Sequence, residues 1–97
     1  MFLSRIQGYV QMILNDQIIF RSEFDHSGVL FDPDSGNVVG VNPVGGIVWE
    51  CLAENLDFNA IISRLRELVD NLPSEEVLIS DVKIFLADLQ QRGFLSK

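Results

Sequence analysis

The chain has 97 residues, 47% of them hydrophobic and 22% charged, enough for one domain with one modest core. Seven Lys and Arg against fourteen Asp and Glu give a formal charge of −7, which disfavours nucleic acid and anionic membrane as partners. One Cys and one His exclude a disulfide framework and any zinc site built from several Cys and His, and no apolar run is long enough to span a bilayer.

Residues 1–14 are rich in apolar side chains. Phe2, Leu3, Ile6, Tyr9, Val10, Ile13 and Leu14 recur at spacings of three and four, the pattern of an amphipathic helix. Gly8 and the β-branched residues leave a strand open as the alternative. This stretch has no continuous apolar region and no small-residue cleavage site, so a signal peptide is not expected and a cytoplasmic setting is the default. Asn15-Asp16-Gln17 reads as a turn, and residues 1–17 form a lead-in to the domain over 18–97.

Three short apolar runs follow: Ile18-Ile19-Phe20, Val29-Leu30-Phe31 and Val38-Val39-Gly40-Val41. The polar stretch 21–28 separates the first two. Asp32-Pro33-Asp34-Ser35-Gly36 separates the second and third with strong turn chemistry, since Pro presets φ, Asp side chains bond the local backbone and Gly supplies positive φ. The expected structure is a small antiparallel sheet with a hairpin between 29–32 and 37–42.

From Asn42 the period becomes helical. Asn42 is placed as N-cap and Pro43 as first helical residue, with Val44, Ile47, Val48, Cys51 and Leu52 on one side. Gly45-Gly46 costs helix propensity, about 1 kcal/mol per Gly relative to Ala. That cost points to close packing of the first turn on another backbone. A second helix starts after Asp57, with Phe58, Ile61, Ile62, Leu65, Leu68 and Val69 on its core face. Asp70-Asn71-Leu72-Pro73 breaks it. Ser74 caps a third helix whose stripe is Leu78, Ile79, Val82, Phe85, Leu86 and Leu89. Gly93 stops it, and Phe94-Leu95 return to the sheet or core. Three strands followed by three helices make an α+β domain of winged-helix type.

No set of residues adds up to a catalytic centre, a cofactor site or a metal site. His26 stands in a polar loop and reads as solvated. Cys51 has apolar or acidic neighbours and reads as a buried small hydrophobe, as Trp49 reads as core. Asp32, Asp34 and Asn37 lack the later bidentate Glu of a calcium loop, and a hairpin turn accounts for them. Asp34-Ser35-Gly36 is not a carrier-protein serine, because a strand rather than a helix follows. No Gly-rich phosphate loop is present.

The third helix carries the informative feature. Stepping about 100° per residue, the core stripe centres on Val82 and Leu89, while Val77 and Ile84 fall on the opposite side, flanked by Asp81 and Asp88. Branched apolar residues off the core face ask for a partner. The segment 37–42 has no charged residue and no Pro to guard it as a sheet edge. An extended peptide added as a strand would cover that edge. On this reading Val39→Pro removes a ladder donor and weakens binding.

The run FRSEFDHSGVLFDPDSGNVVGVNPVGGIVWECL, then DFNAIISRL, then SDVKIFLADLQQRGFL, resembles the PqqD-like family of small peptide chaperones, also called RiPP recognition elements. The resemblance covers about residues 18–95. It is carried best by Asn42-Pro43-Val44-Gly45 leading to Ile47-Val48-Trp49, and by Asp81-Val82 with Phe85-Leu86, Leu89 and Gly93-Phe94-Leu95. It implies a non-catalytic protein that binds the leader of a ribosomally made precursor peptide and presents it to a modifying enzyme, often a radical SAM enzyme. It implies that the leader adds along Val38, Val39, Gly40, Val41 and Asn42 and rests on Val77, Asp81, Ile84 and Asp88. The acidic side of that helix suits a leader with Lys or Arg. Ala53-Glu54-Asn55-Leu56 stands where the quinone-cofactor members carry Asp-Gly, so pyrroloquinoline quinone synthesis is not the first expectation. The alternative is an interaction or assembly module that dimerises, for instance through residues 1–14, without recognising a leader. A DNA-binding winged helix is disfavoured, because a recognition helix opening Ser74-Glu75-Glu76 and carrying Asp81 and Asp88 repels phosphates.

Overall fold

A computed structural model describes residues 13–95; of the helix or strand expected over residues 1–14, residues 1–12 lie outside them. Three strands come first: β1 (Ile19–Ser22), β2 (Gly28–Phe31) and β3 (Val38–Val41). Three helices follow: α1 (Pro43–Ala53), α2 (Phe58–Leu68) and α3 (Glu75–Gln91). The sheet is antiparallel in the order β1-β2-β3, so β3 is an edge. This is the α+β order expected from the periodicity.

Each helix start is built by the residue the sequence offers for it. The side chains of Asn42, Asp57 and Ser74 accept from the backbone N–H of Gly45, Ala60 and Val77 respectively. Each satisfies one amide that the helix itself leaves orphaned. Two helix ends close with paired bonds around a left-handed residue. After α1, Asn55 takes φ 63° while Leu56 N–H donates to Cys51 C=O and Asn55 N–H to Leu52 C=O. After α3, Gly93 takes φ 83° while Phe94 N–H donates to Leu89 C=O and Gly93 N–H to Gln90 C=O.

The core joins Leu30 and Val41 of the sheet to Ile47, Val48, Cys51 and Leu52 of α1, Ile61 and Leu65 of α2, and Leu78, Val82 and Leu89 of α3. Trp49 is buried with them, and burial pushes the Cys51 thiol up from its usual range. Phe94 is fully buried and Leu95 nearly so. Leu95 makes an antiparallel bridge with Leu14, and Asn15 bonds to Phe94 C=O through its backbone and to Gly93 C=O through its side chain. The end of the lead-in is thus tied to the end of α3. Leu68, expected in the core stripe, is exposed instead. It is the last residue of α2, where the helix has run past the core.

Both hairpin turns are held by short side chains. Between β2 and β3, Asp32 Oδ1 accepts from Asp34 N–H, Asp32 Oδ2 from Ser35 Oγ–H, and Gly36 takes φ 80°. Between β1 and β2, Glu23 N–H donates to Ser27 C=O and His26 N–H to Glu23 C=O, so a three-residue loop ends in a left-handed residue. Glycine is the usual occupant of that position; here His26 has φ 75°. Expected as a solvated loop residue, His26 is half-buried, with Nδ1 3.0 Å from Glu50 Oε1 on α1. The ring contact anchors the turn to the helix across 24 residues of sequence.

Gly46 explains why the turn can sit there. A Cβ at Gly46 would collide with the His26 carbonyl oxygen and lie 3.3 Å from Phe20 Cζ. The Gly-Gly pair therefore lets the first turn of α1 pack directly on the β1–β2 turn, as its helix cost implied. Gly45 makes a looser approach, with its Cβ position 3.1 Å from Val41 Cβ and 3.4 Å from Phe85 Cζ.

Candidate functional site: the edge of β3 and the groove beside α3

The bond closing the second hairpin fixes which backbone groups of β3 are free. Asp32 N–H donates to Asn37 C=O at 2.9 Å, so this is a hydrogen-bonded pair. In an antiparallel ladder, bonded and non-bonded pairs alternate. With Phe31 opposite Val38, Leu30 opposite Val39, Val29 opposite Gly40 and Gly28 opposite Val41, the bonded pairs are Leu30–Val39 and Gly28–Val41. Val38 and Gly40 therefore turn their N–H and C=O outward, to the open edge. The donor assigned above to Val39 is corrected: its N–H faces β2, and the edge donors are Val38 and Gly40.

The same alternation sorts the side chains. Val41 is buried and Val39 packs half-buried on the core. Val38 lies on the outer face, in a cross-strand row with Phe31 and Ile19. Ile19, Val29 and Val38 are all exposed on that face.

A groove of about 580 Å³ runs between the end of β3 and α3. Its apolar walls come from Val41, Val44 and Val48 on one side, Phe85 on the other, and Leu72 at one end. Gly40, Val41 and Asn42 reach it from the strand, and Asp81, Ile84 and Asp88 from the helix. Six of the nine residues expected to bind a peptide are thus brought together. Val38 and Val39 border the edge without lining the groove, and Val77 lies outside it near the start of α3. Val77 and Ile84 are 48% and 65% exposed, in line with their place off the core stripe. Asn42 has a second role, since its Oδ1 and its C=O both accept from the first turn of α1.

Sequence periodicity missed part of the groove wall. Leu72 and Pro73, which the sequence marks only as part of a helix break, line the groove where the chain passes from α2 to α3. Phe85, expected on the core stripe, packs against the core and also turns one side to the groove. Its neighbour Ile84 carried the available signal.

The charges are one-sided. Asp81 and Asp88 line the groove, and among the described residues no Lys, Arg or His does. Asp88 Oδ2 accepts from Arg92 Nε at 2.9 Å, while Asp81 has no hydrogen-bond or ion-pair partner among the described residues. Among those residues no three His, Cys, Asp or Glu come together to hold a metal ion, and no helix is long and apolar enough to cross a membrane.

Comparison with known proteins gives this arrangement a context. Of solved structures, the chain is similar to one described as "TbiB1 in Complex with the TbiA(beta) Leader Peptide", with a TM-score of 0.73 and 21% identity over 87% of this chain and 94% of that one. At this identity the similarity is one of fold. No curated protein matches the chain. The family model for coenzyme PQQ synthesis protein D matches residues 27–95, through β2, β3 and all three helices, and the chain accordingly belongs to the PqqD family.

Proposed function

We propose that this protein is a non-catalytic peptide chaperone. Its domain over residues 18–97 takes the leader of a ribosomally made precursor peptide as an added strand on β3 and presents it to a modifying enzyme, with a radical SAM enzyme as the first candidate. The observation that carries the reading is the open edge at Val38 and Gly40 alongside a groove that Ile84 overhangs from α3. Main-chain pairing at an edge supplies affinity and adjacent side-chain pockets supply specificity. That the solved structure of similar fold holds a leader peptide supports it.

Amide NMR titration with leader peptides encoded beside this chain's gene tests the reading. Shifts concentrated in residues 37–42 and 75–92 are expected; silence with every such leader in a folded sample defeats it. Ile84→Asp is expected to weaken binding about tenfold or more, with the melting temperature changed by no more than about 2 °C. A large fall in melting temperature instead would make Ile84 a core residue.

The second reading, an assembly module that dimerises, draws on Ile19, Val29 and Val38, all exposed on the outer sheet face. Sedimentation of the full chain and of a variant lacking residues 1–12 separates the two. A dimer that dissolves on truncation, in a protein blind to leaders, favours assembly.

A further inference from the structure

The geometry of the edge restricts which peptides the groove accepts, and this inference rests on the strand-addition reading. Neighbouring strands in a sheet share the phase of their pleat, whichever way they run. Val39 and Val41 point to the core side, and Val38 to the outer face. Guest residues beside Val39 and Val41 therefore face α3, two positions apart and about 6.8 Å from each other. The guest residue beside Gly40 points the other way, over a site with no side chain, where a Cβ would meet nothing within 4 Å.

The two groove-facing guest residues meet different surroundings. Below lie Val41, Val44, Val48 and Phe85, which suit an apolar side chain. On the helix rim stand Asp81 and Asp88, one heptad apart and so about 10.5 Å along α3. Arg92 already occupies Asp88 from one side. Asp81 is exposed and has no partner among the described residues. Lys83, two residues on, lies over the Phe58 ring, 5.9 Å from its centroid, and does not line the groove. A chain with a formal charge of −7 adds a long-range pull on cationic guests and repels anionic ones.

We infer that the protein selects extended peptides that carry an apolar residue and a Lys or Arg on the same face, two positions apart, with the cation set against Asp81. The apolar residue fills the groove, and the cation decides among guests of similar shape. A carboxylate in the cation's place is rejected, because it would face two aspartates in a groove lined by no cation among the described residues.

The test uses two synthetic nonapeptides, capped at both ends and identical except at one position. Thr occupies every odd position, and Val, Leu, Lys and Val occupy the even ones; the second peptide has Glu in place of Lys. Each is titrated into the full chain and into Asp81→Lys at low and at high salt, following the amides of residues 37–42. The Lys peptide is expected to bind about tenfold tighter than the Glu peptide at low salt. High salt should narrow the difference, and Asp81→Lys should reverse it. Asp81 is an exposed helix residue, so the variant keeps its fold, and its melting curve verifies this. Equal affinities with shifts in residues 37–42 overturn the charge inference and leave strand addition standing. Absence of shifts with either peptide overturns both.

Discussion

Gly46→Ala is expected to destabilise the protein by about 3 kcal/mol or more, where the same change on an exposed helix face would stabilise it by about 1 kcal/mol. The sign reverses because the added Cβ has no room. It would fall on the His26 carbonyl oxygen, a backbone atom that cannot rotate aside. Relief requires lifting the β1–β2 turn off α1. That movement breaks the contact between His26 Nδ1 and Glu50 and removes the support for His26 in its left-handed conformation. Small domains have only about 5–15 kcal/mol of stability in total, and this one falls at the lower end by size. Gly45→Ala is the control. Its Cβ would lie 3.1 Å from Val41 Cβ and 3.4 Å from Phe85 Cζ, contacts that the Phe85 ring and a shift of a few tenths of an ångström at Val41 can relieve. It should cost well under half as much, because the gain in helix propensity offsets the crowding. Urea midpoints of the two variants decide the matter, and equal stability of Gly46→Ala and the parent would refute the packing account.

What the sequence makes legible follows the range of the interaction. Asn42, Asp57 and Ser74 each bond an amide three residues on, so residue type and position reveal the cap. Asp32, Ser35 and Gly36 define their turn in the same local way. The Gly-Gly pair announces close packing through its cost, though not what it packs on. The partner is the turn at His26, and no local pattern ties His26 to Glu50. The groove divides along the same line. Ile84 stands off the core stripe, and helical arithmetic finds it. Leu72 and Pro73 reach the groove only through the path of the chain between α2 and α3. The sequence marks residues 37–42 as an unguarded strand, but the outward-facing amides depend on the bonded pair closing the hairpin. A shift of one residue in that pairing would exchange the roles of Val38 and Val39.

Val38→Pro is expected to reduce strand addition by about thirtyfold or more while leaving the free protein folded. Proline is tolerated on an edge strand where the lost N–H faces outward. Val38 meets that condition, and its side chain is 59% exposed, so little packing is lost. The guest loses one main-chain donor, and the proline ring stands in the plane through which it must approach. Losing a hydrogen bond costs about 1 kcal/mol, or fivefold, and obstruction of the neighbouring register supplies the rest. Val39→Pro should behave differently. It removes a donor to Leu30 within the hairpin and disturbs a side chain packed on the core, so it should lose about 3 kcal/mol of stability. Hydrogen exchange reads the same assignment without a substitution. Val39 and Val41 amides should be protected in the free protein, and Val38 and Gly40 amides only once a guest is bound. Undiminished binding by a folded Val38→Pro protein, or Val38 exchange that a bound leader does not slow, would rule out β3 as the binding edge. Protection appearing at both Val38 and Gly40 would show that main-chain pairing extends over both free positions of the strand, leaving the groove side chains to discriminate among leaders.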